Sequence, residues 1–475
     1  MLEQICIKIG LYKDLMDNFK NNEIKVNSIV TLSLFPYISG KDYSRLAMWQ
    51  KSHKTSIDFQ LTPSSITRLA QSITDNDRMN LIKCRLLRQT KCGIDDCDST
   101  SRSGWGKCLV DIKWGKNKCN PELRYTIDVV VYSLSTYEPI YYRLFHGNIA
   151  DVSTIRTILS ELAALKIKDI ILSTHRGYLS EENIAAFVGM KLPFLICAKV
   201  DTKPVSELLL KIDYSKNGYP ANMEFNSEKR LFFTQLIVEP YMSKLADGTD
   251  IEVKGLKVNL FLDLYKRMDE ISDIYCKINE EKDTLEKDIR ERNIPKDIKK
   301  YNASFDYFKV NETVNEDKGI TGFTYTECSN KIEREISKCG FFALLSHNLN
   351  MNCEEILDHY KRKDEHGKKL SELKSYLNFN IQKSSSEESK NGKSFFDFIG
   401  LICISKLRNA WKKSFQNVYH STLEMLDEME SIRFSEYTDG STRMTTFTMK
   451  QVEICNVCGI EVPYECMPQS LRAYP

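Results

Sequence analysis

The segment YTIDVVVYSLSTYEPIYYRLF at residues 125–145 decides the fold class. It contains two runs rich in valine, isoleucine and tyrosine, at 125–134 and 139–145, joined by the polar link STYE. β-Branched and aromatic residues favour strands, and a short polar link between two such runs favours a hairpin. We therefore predict two antiparallel strands here.

Alternating elements follow this hairpin. A helix is predicted for TIRTILSELAAL, capped near Asp151 or Ser153, and then a strand for KDIILST at 168–174. A second helix follows in RGYLSEENIAAFV, with Ser180 as its cap, and then a buried strand in PFLICAKV at 193–200. With a strand ending near CDSTSRS at 97–103, this order predicts a mixed α/β (α+β) protein with an RNase H-like core, although many α/β domains share parts of the order.

Outside this core, composition and periodicity divide the rest of the chain. We predict a helical N-terminal region at 1–90, which is a candidate for DNA binding, a first part of the core at 91–204, an insertion of strands and helices at 205–345, a last core strand and the following helices at 346–415, and a small C-terminal region at 416–475. The final region is predicted to hold a short helix and a polar tail. The chain begins close to its first predicted helices, which leaves room for an upstream DNA-binding portion.

Several local predictions can be tested directly. Breaks are expected at Asn21-Asn22 and from Pro36 to Gly40. LTPSSITRLAQSI at 61–73 predicts a helix that is either the second helix of a helix-turn-helix or one helix of a bundle. The charged helix around 264–291 is interpreted as a solvated spacer, and QKSSSEESKNGKS at 382–394 as a loop before an apolar helix.

Composition excludes some classes of protein. The 475 residues suffice for two or three domains, and the net charge of +2 does not by itself indicate a nucleic-acid binder. The 15 cysteines follow no secretory signal, and the apolar runs are too short to span a bilayer, so we expect reduced thiols, a cytoplasmic location and no membrane. Cys455 and Cys458 form a CxxC near Cys466, but no second pair is suitably spaced for zinc, which favours ordinary thiols.

Four sequence motifs together indicate one family of proteins: CDSTSRS at 97–103, PIYYRLFHGNIADVSTI at 139–155, HRGYLSEENI at 175–184 and YKRKDEHGKKLSELK at 360–374. In order and spacing they resemble the DDE-type transposases of bacterial insertion sequences. The branch of this family that the chain resembles has a β-rich insertion before the last of its three catalytic acids. It also has a signature of Tyr, Arg, Glu and Lys on its final catalytic helix. The resemblance covers almost the whole chain. It implies metal-dependent DNA cleavage and strand transfer, with double-stranded transposon ends and target DNA as partners and a homodimer assembled on the DNA.

The chemistry of that family explains the pattern. Three carboxylates hold two Mg²⁺ or Mn²⁺ ions about 4 Å apart. One ion activates water or a DNA 3′-hydroxyl, and the other stabilises the leaving oxygen of the phosphodiester. Hard oxygen ligands are needed because magnesium binds softer ligands poorly.

The resemblance places Asp98 at the first acidic position, where it would be a metal ligand, but the other two positions depart from the family. The second is His175, whose imidazole is a poor magnesium ligand and adds no negative charge. The third is Gly367, which offers no side chain and weakens a helix by about 1 kcal/mol relative to alanine. We therefore expect a catalytically impaired copy.

Neighbouring acidic residues offer only a limited replacement for the two missing carboxylates. Asp364 precedes Gly367 by about one helical turn, roughly 5 Å, which exceeds what metal geometry tolerates. Glu365 points elsewhere, and Asp96 shares a strand face with Asp98. Two alternatives stay open: an active enzyme that uses Asp364, or manganese through His175, and a non-catalytic DNA-binding regulator.

The resemblance also implies DNA contacts near the cut site. Tyr360 fits the signature tyrosine, Lys363 occupies the arginine slot and Lys374 fits the lysine. Contacts to phosphates give affinity for DNA without specificity for its base sequence. Further candidate DNA-binding residues are Arg176, Arg362, Lys361, Lys368 and Lys369, and on the next helix Lys406, Arg408, Lys412 and Lys413.

Overall fold

The computed structural model has a mixed α/β architecture. It describes residues 1–88, 94–105, 125–133, 138–146, 151–165, 171–174, 176–214, 220–245, 247–293, 297–315, 319–361, 381–384 and 386–472. The chain divides into two compact units: unit 1 comprises Met1–Pro193 and Asp358–Pro475, and unit 2 comprises Phe194–Leu357. The five-region division predicted above remains a prediction.

The helices are α1 Leu2–Lys8, α2 Leu11–Asn18, α3 Glu23–Ser39, α4 Leu46–Trp49, α5 Pro63–Gln71, α6 Asp75–Arg88, α7 Asp151–Ala164, α8 Glu181–Gly189, α9 Lys203–Leu209, α10 Leu264–Arg290, α11 Ile298–Asn302, α12 Ser329–Lys338, α13 at 353–361, α14 Glu387–Ala410, α15 Thr422–Glu430 and α16 Met449–Cys458. Short 3₁₀ turns occur at Tyr43–Arg45, Arg176–Tyr178, Tyr464–Cys466 and Gln469–Leu471, and a π turn occurs at Trp411–Phe415.

The strands are β1 Ile94–Trp105, β2 Tyr125–Ser133, β3 Pro139–His146, β4 Ile171–Thr174, β5 Phe194–Ala198, β6 Glu224–Asn226, β7 Leu231–Ile237, β8 Tyr241–Lys244, β9 Asp250–Val253, β10 Leu256–Asp263, β11 Phe308–Asn315, β12 Gly319–Glu327, β13 Phe341–His347, β14 Ile381–Lys383, β15 Phe434–Glu436 and β16 Thr442–Met444. The predicted hairpin is confirmed, since β2 and β3 pair antiparallel with Val130 opposite Tyr142.

In unit 1 the strands lie in the order β3-β2-β1-β4. β1 is antiparallel to β2 and parallel to β4, and β14 also pairs parallel with β1 at the far end of that strand. Parallel neighbours need a long crossover connection, and α7 lies in the connection between β3 and β4. The order of strands and helices predicted around residues 94–174 is therefore present in the structure.

The N-terminal region is helical, as predicted, although one break is misplaced. Asn22 caps α3 by accepting a hydrogen bond from the Lys25 backbone N–H at 3.0 Å. The helix then continues through Pro36 to Ser39 and ends only at Gly40, whose φ is +63°. Proline removes one hydrogen bond from a helix, but the buried packing of α3 on both sides of Pro36 outweighs that loss.

Helix α5 begins as predicted, with the Thr62 side chain accepting from the Ser65 backbone N–H at 3.3 Å. Ile66 and Ala70 on this helix are buried, and Ala70 lies directly against α14. A helix held in this way by a neighbouring helix favours the bundle alternative over the helix-turn-helix.

The predicted loop at 382–394 is wrong. β14 occupies 381–383, and α14 begins at Glu387 with Ser386 as its cap. Two buried polar residues near its start, Ser389 and Lys390, belong to this helix, and Lys390 pairs with Glu387 at 2.5 Å. Polar composition suggested solvent exposure, whereas tertiary packing buries these side chains.

Two glycines allow α14 to approach its neighbours closely. A Cβ on Gly392 would lie 2.0 Å from the Ala70 carbonyl oxygen of α5. A Cβ on Gly400 would lie 2.2 Å from the Ser33 carbonyl oxygen and 2.4 Å from the Tyr37 ring of α3. Because backbone atoms cannot move aside as a flexible side chain can, both positions require glycine.

We expect Gly392→Ala to lower the free energy of unfolding by about 2 kcal/mol, since α5 and α14 must separate. This loss exceeds the gain of about 1 kcal/mol that alanine brings to a helix interior. Urea unfolding of the two proteins measures the difference. The matched control is Asn391→Ala, at the exposed adjacent position of the same helix, which is expected to change stability by no more than about 0.5 kcal/mol. Equal stabilities for the Gly392 variant and the parent would contradict the close approach.

Buried Arg85 and exposed Arg88 attach α6 to the rest of unit 1. Arg85 lies 3.0 Å from Glu138 and 3.4 Å from Asp14, and it donates to the Ile9 carbonyl oxygen at 2.9 Å. Arg88 pairs with the same Asp14 at 2.6 Å. These contacts were not predicted, because the charged residues of α6 look like a solvated helix surface in sequence.

Unit 2 contains an antiparallel sheet in the order β5-β13-β10-β7-β6. Within its buried centre, Asn259 donates to the Leu344 carbonyl oxygen at 3.0 Å and to Ser346 at 2.9 Å, and accepts from Gln235 at 2.6 Å. This row of polar side chains satisfies Asn259 inside an otherwise apolar strand.

The interpretation of α10 as a solvated spacer is corrected. Ile278 and Leu285 of this helix are buried in a cluster with residues of α11, α12 and the β11–β12 hairpin. Buried Glu281 accepts hydrogen bonds from the backbone N–H groups of Asp306 and Tyr307, both at 2.9 Å. The many charges of α10 occupy its outer face, while a narrow apolar stripe forms a small core.

The C-terminal region is also more ordered than predicted. It contains two helices, α15 and α16, and the β15–β16 hairpin, where a short helix and a polar tail were expected. Phe447, Val452 and Val462 are buried together in a separate cluster with Cys455 and Cys466. In the described part of the chain, no helix is long and apolar enough to cross a lipid bilayer.

Candidate functional site

The first acidic position lies within the central strand of unit 1. Asp98 belongs to β1 and is paired with Val130 of β2. On its other side, β1 pairs with β4, where Asp96 is opposite Ser173 and Cys97 is opposite Thr174. Among the described residues, Cys97–Thr174 is the last pair of this parallel register, and Asp98 follows Cys97 directly on β1.

The second acidic position, His175, lies outside the described residues, but the chain on both sides of it is described. Thr174 ends β4, and the 3₁₀ turn that begins at Arg176 follows. Ser173 and Thr174 are buried, so the end of β4 is enclosed by the core of unit 1. The side chain of Arg176 lies outside the description.

The turn after β4 is held in place by two residues of the quoted motif. The Ser180 hydroxyl accepts from the Asn183 backbone N–H at 3.1 Å and so caps α8, as predicted. The buried Asn183 side chain donates to the Tyr178 carbonyl oxygen at 2.8 Å, and the Tyr178 ring is fully buried. These contacts fix the path of the chain directly after position 175.

A charged network supports the sheet from β3 and α7. Glu161 accepts a hydrogen bond from the Tyr141 hydroxyl at 2.8 Å and pairs with Arg78 at 2.9 Å and Arg143 at 2.7 Å. Burial, followed by the charge of Glu161, raises the pKa of Tyr141 above its usual range, so this hydroxyl remains a donor. Arg78 also donates to the Tyr142 carbonyl oxygen at 2.8 Å. The network is structural, and sequence reasoning missed it because its members are far apart in the chain.

The helix that carries the signature tyrosine begins after Asn352, whose contacts define its start. The Asn352 side chain accepts from the Glu355 backbone N–H at 2.9 Å, and Glu355 in turn accepts from the Asn352 backbone N–H at 2.9 Å. This reciprocal pair is a capping box and starts α13. Half-buried Tyr360 and exposed Lys361 lie at the end of the described part of this helix.

The remaining predictions on this helix cannot be placed. The positions that lie outside the described residues are Arg362, Lys363, Asp364, Glu365, Gly367, Lys368, Lys369 and Lys374. Their roles, including a rescue by Asp364, therefore remain predictions.

The basic residues predicted on the next helix differ in their surroundings. Lys406 is exposed on α14 and lies 3.8 Å from Glu138, so its charge is partly neutralised. Arg408 is half-buried near the end of the same helix, and Lys413 is exposed in the π turn that follows with Lys412. Lys413 is therefore better placed than Lys406 to meet a phosphate.

The CxxC pair, Cys455 and Cys458, lies on α16. Burial raises the pKa of the Cys458 thiol to about 11 and also raises the pKa of Cys455. The assignment of these residues to ordinary thiols remains a prediction. Among the residues that the structure describes, no three His, Cys, Asp or Glu side chains are grouped to hold a metal ion.

Comparison with known proteins adds one structural similarity. No protein-family model matches the chain, and no curated protein matches it. Among solved structures, it is similar to the piggyBac transposase synaptic complex with hairpin DNA, with a TM-score of 0.36 and 9% sequence identity. The alignment covers 88% of this chain and 59% of that chain. This chain thus spans less than two thirds of the length of the transposase, and a similarity of this size carries no argument about function.

Proposed function

We propose that this chain is a transposase-derived protein with an RNase H-like core that binds double-stranded DNA and does not cut it. The observation that carries the proposal is the parallel pairing of β1 with β4. Its described register runs from Ile94–Ile171 to Cys97–Thr174, directly before Asp98 and His175 in the chain. In DDE transposases the first two acids stand at these points, on the first strand and at the end of the fourth.

The metal ligands that the three positions can offer support the proposal that this chain does not cleave DNA. Two divalent cations beside a scissile phosphate need several hard, negatively charged oxygen ligands. Of the three family positions, only Asp98 retains a carboxylate, while His175 offers an imidazole nitrogen and Gly367 offers no side chain. These residues do not fit a pair of magnesium ions.

The distribution of charge supports DNA binding by unit 1. Unit 1 carries 43 lysines and arginines against 36 aspartates and glutamates, whereas unit 2 carries 24 against 29. A net charge near zero for the whole chain therefore conceals a basic unit and an acidic one. Since lysine and arginine contacts to phosphates supply most non-specific affinity, unit 1 is the favoured DNA-binding unit.

A binding and cleavage assay with an Asp98→Ala variant tests this proposal. The substrates are a duplex containing the sequences that flank the gene and an unrelated duplex of equal length, each with Mg²⁺ or Mn²⁺. We expect the parent and the variant to bind the flanking duplex with affinities within about threefold of each other, because phosphate contacts dominate binding. Neither protein should release cleavage products.

Two results would decide against the proposal. Cleavage by the parent that Asp98→Ala abolishes would establish an active enzyme and favour the alternative that recruits Asp364 or manganese. Failure of the parent to bind either duplex at low salt would remove DNA as the partner altogether.

A further inference from the structure

We infer that the segment 41–54 of unit 1, called here the basic segment, is a contact surface for the phosphate backbone of double-stranded DNA. This inference rests on the proposed function and specifies where its partner binds. The segment lies in the N-terminal region 1–90, which the sequence predicts as a candidate for DNA binding, but none of its residues was singled out. Its sequence, KDYSRLAMWQKSHK, carries Lys41, Arg45, Lys51 and Lys54 against a single acid, Asp42.

Three of these four cations are available to a ligand. Lys41, Arg45 and Lys51 are exposed, and none has a carboxylate partner in the described part of the chain. Lys54 differs, because it lies 3.9 Å from Glu436. Three exposed cations without a carboxylate partner among the described residues therefore lie within residues 41–51 and give this segment a positive surface.

The backbone of the basic segment is held by its own contacts. Gln50 donates to the Phe59 carbonyl oxygen at 3.2 Å and accepts from the Leu61 backbone N–H at 3.0 Å. The Trp49 ring packs edge-on against buried Phe35, with centroids 5.4 Å apart, and stacks on His53 at 4.2 Å. A surface that is already ordered loses less conformational entropy when a partner binds.

The length of the segment suits a duplex. A 3₁₀ turn and α4 cover residues 43–49, and helical residues advance the chain by about 1.5–2 Å each, so this part spans at most about 14 Å. Double-stranded DNA presents one negative charge per roughly 1.7 Å of its axis, which places several phosphates within that distance. Arg45 lies within this part, and Lys41 and Lys51 lie two residues beyond its ends, where each added residue extends the chain by at most about 3.6 Å, so the three cations follow a stretch over which a duplex presents several phosphates.

The same cations would attract other polyanions, and an anionic membrane is the main competitor. Membrane-surface binding usually needs an amphipathic helix that buries an apolar face in the headgroup region. The helix of this segment, α4, has only four residues. Duplex DNA is consequently the favoured partner.

The test compares two triple variants that remove the same charge. K41Q/R45Q/K51Q removes the three available cations of the basic segment, and K287Q/K299Q/K300Q removes three exposed lysines of unit 2 that have no carboxylate partner in the described part of the chain. Binding to an unrelated duplex is measured over a range of salt concentrations by fluorescence anisotropy. Circular dichroism confirms that each variant is folded.

We expect the first variant to bind about tenfold more weakly at low salt. Its plot of log affinity against log salt should be less steep by about 3, one for each lost phosphate contact. The unit 2 variant should match the parent in both quantities.

The outcomes that contradict this expectation lead to different conclusions about the basic segment and about the proposed function. If the parent binds DNA and both variants match it in affinity and salt slope, the basic segment is not the contact surface, although the proposed function survives. If the parent binds no duplex, the proposed function itself fails. A loss of binding to vesicles of phosphatidylserine and phosphatidylcholine, without a loss of DNA binding, would overturn the inference in favour of a membrane.

Discussion

Replacing His175 with aspartate and Gly367 with glutamate together is expected to produce a chain that nicks DNA in magnesium, at a rate at least about a hundred times the background measured with the parent. Two added carboxylates would complete the oxygen ligands for a pair of metal ions, which contribute several kcal/mol to the stabilisation of the transition state. Each 1.36 kcal/mol changes the rate about tenfold, so even partial metal occupancy would give a measurable gain.

Control variants distinguish the effect of the added negative charge from the effect of the added side-chain volume. H175N/G367Q introduces side chains of nearly the same size without negative charge, and it should remain inactive. Adding Asp98→Ala to the active double variant should abolish nicking, because the first acid is then lost. Conversion of a supercoiled plasmid to its nicked form provides a sensitive measurement of all four proteins.

An inactive double variant that still folds and binds DNA would show that loss of the two acids is not what prevents cleavage. Equal activity of H175N/G367Q would show that the effect is steric. Either result would remove the assignment of these two positions to metal ligation.

The second large effect is expected at Arg85. Its substitution by alanine should lower the free energy of unfolding by about 3 kcal/mol, because removing one member of a buried ion pair leaves the other charge uncompensated. Arg85 is almost fully buried, as are Asp14 and Glu138 on either side of it. The estimate lies at the lower end of the usual range because Asp14 keeps Arg88 and Glu138 keeps Lys406.

Two further variants test the physical cause. Glu138→Gln in the Arg85→Ala background removes the uncompensated charge and should recover part of the lost stability, measured by urea unfolding. Arg443→Ala, at an exposed position of β16, removes an arginine that has no carboxylate partner among the described residues, and it should change stability by no more than about 0.5 kcal/mol. If Arg85→Ala and Arg443→Ala were equally stable, the buried network would not be what attaches α6.

Local elements could be predicted because their causes are local. The β2–β3 hairpin follows from β-branched and aromatic residues on either side of a polar link. Ser180, Thr62 and Asn352 start helices because their side chains reach backbone N–H groups only a few residues away. Such contacts depend on neighbours in the chain, which the sequence displays directly.

Other elements were mispredicted where distant residues decide burial. The start of α14 looked like a loop, yet Gly392 brings it against α5, more than 300 residues earlier in the chain. The charged helix α10 looked solvated, yet Glu281 and Leu285 are buried by α12 and the β11–β12 hairpin. Composition reports the average polarity of a segment and not which of its faces another element will cover.

By itself, the sequence determined the identities of the residues at the three positions to which the resemblance assigns the acids, and therefore the chemistry available there: one carboxylate, one imidazole and one bare backbone. Only the tertiary structure decided that the strand carrying Asp98 lies parallel to the strand that ends at Thr174, since strand pairing joins residues about 75 positions apart. The same holds for the basic segment, whose charges are visible in the sequence. Their availability depends on which acids the fold places beside them.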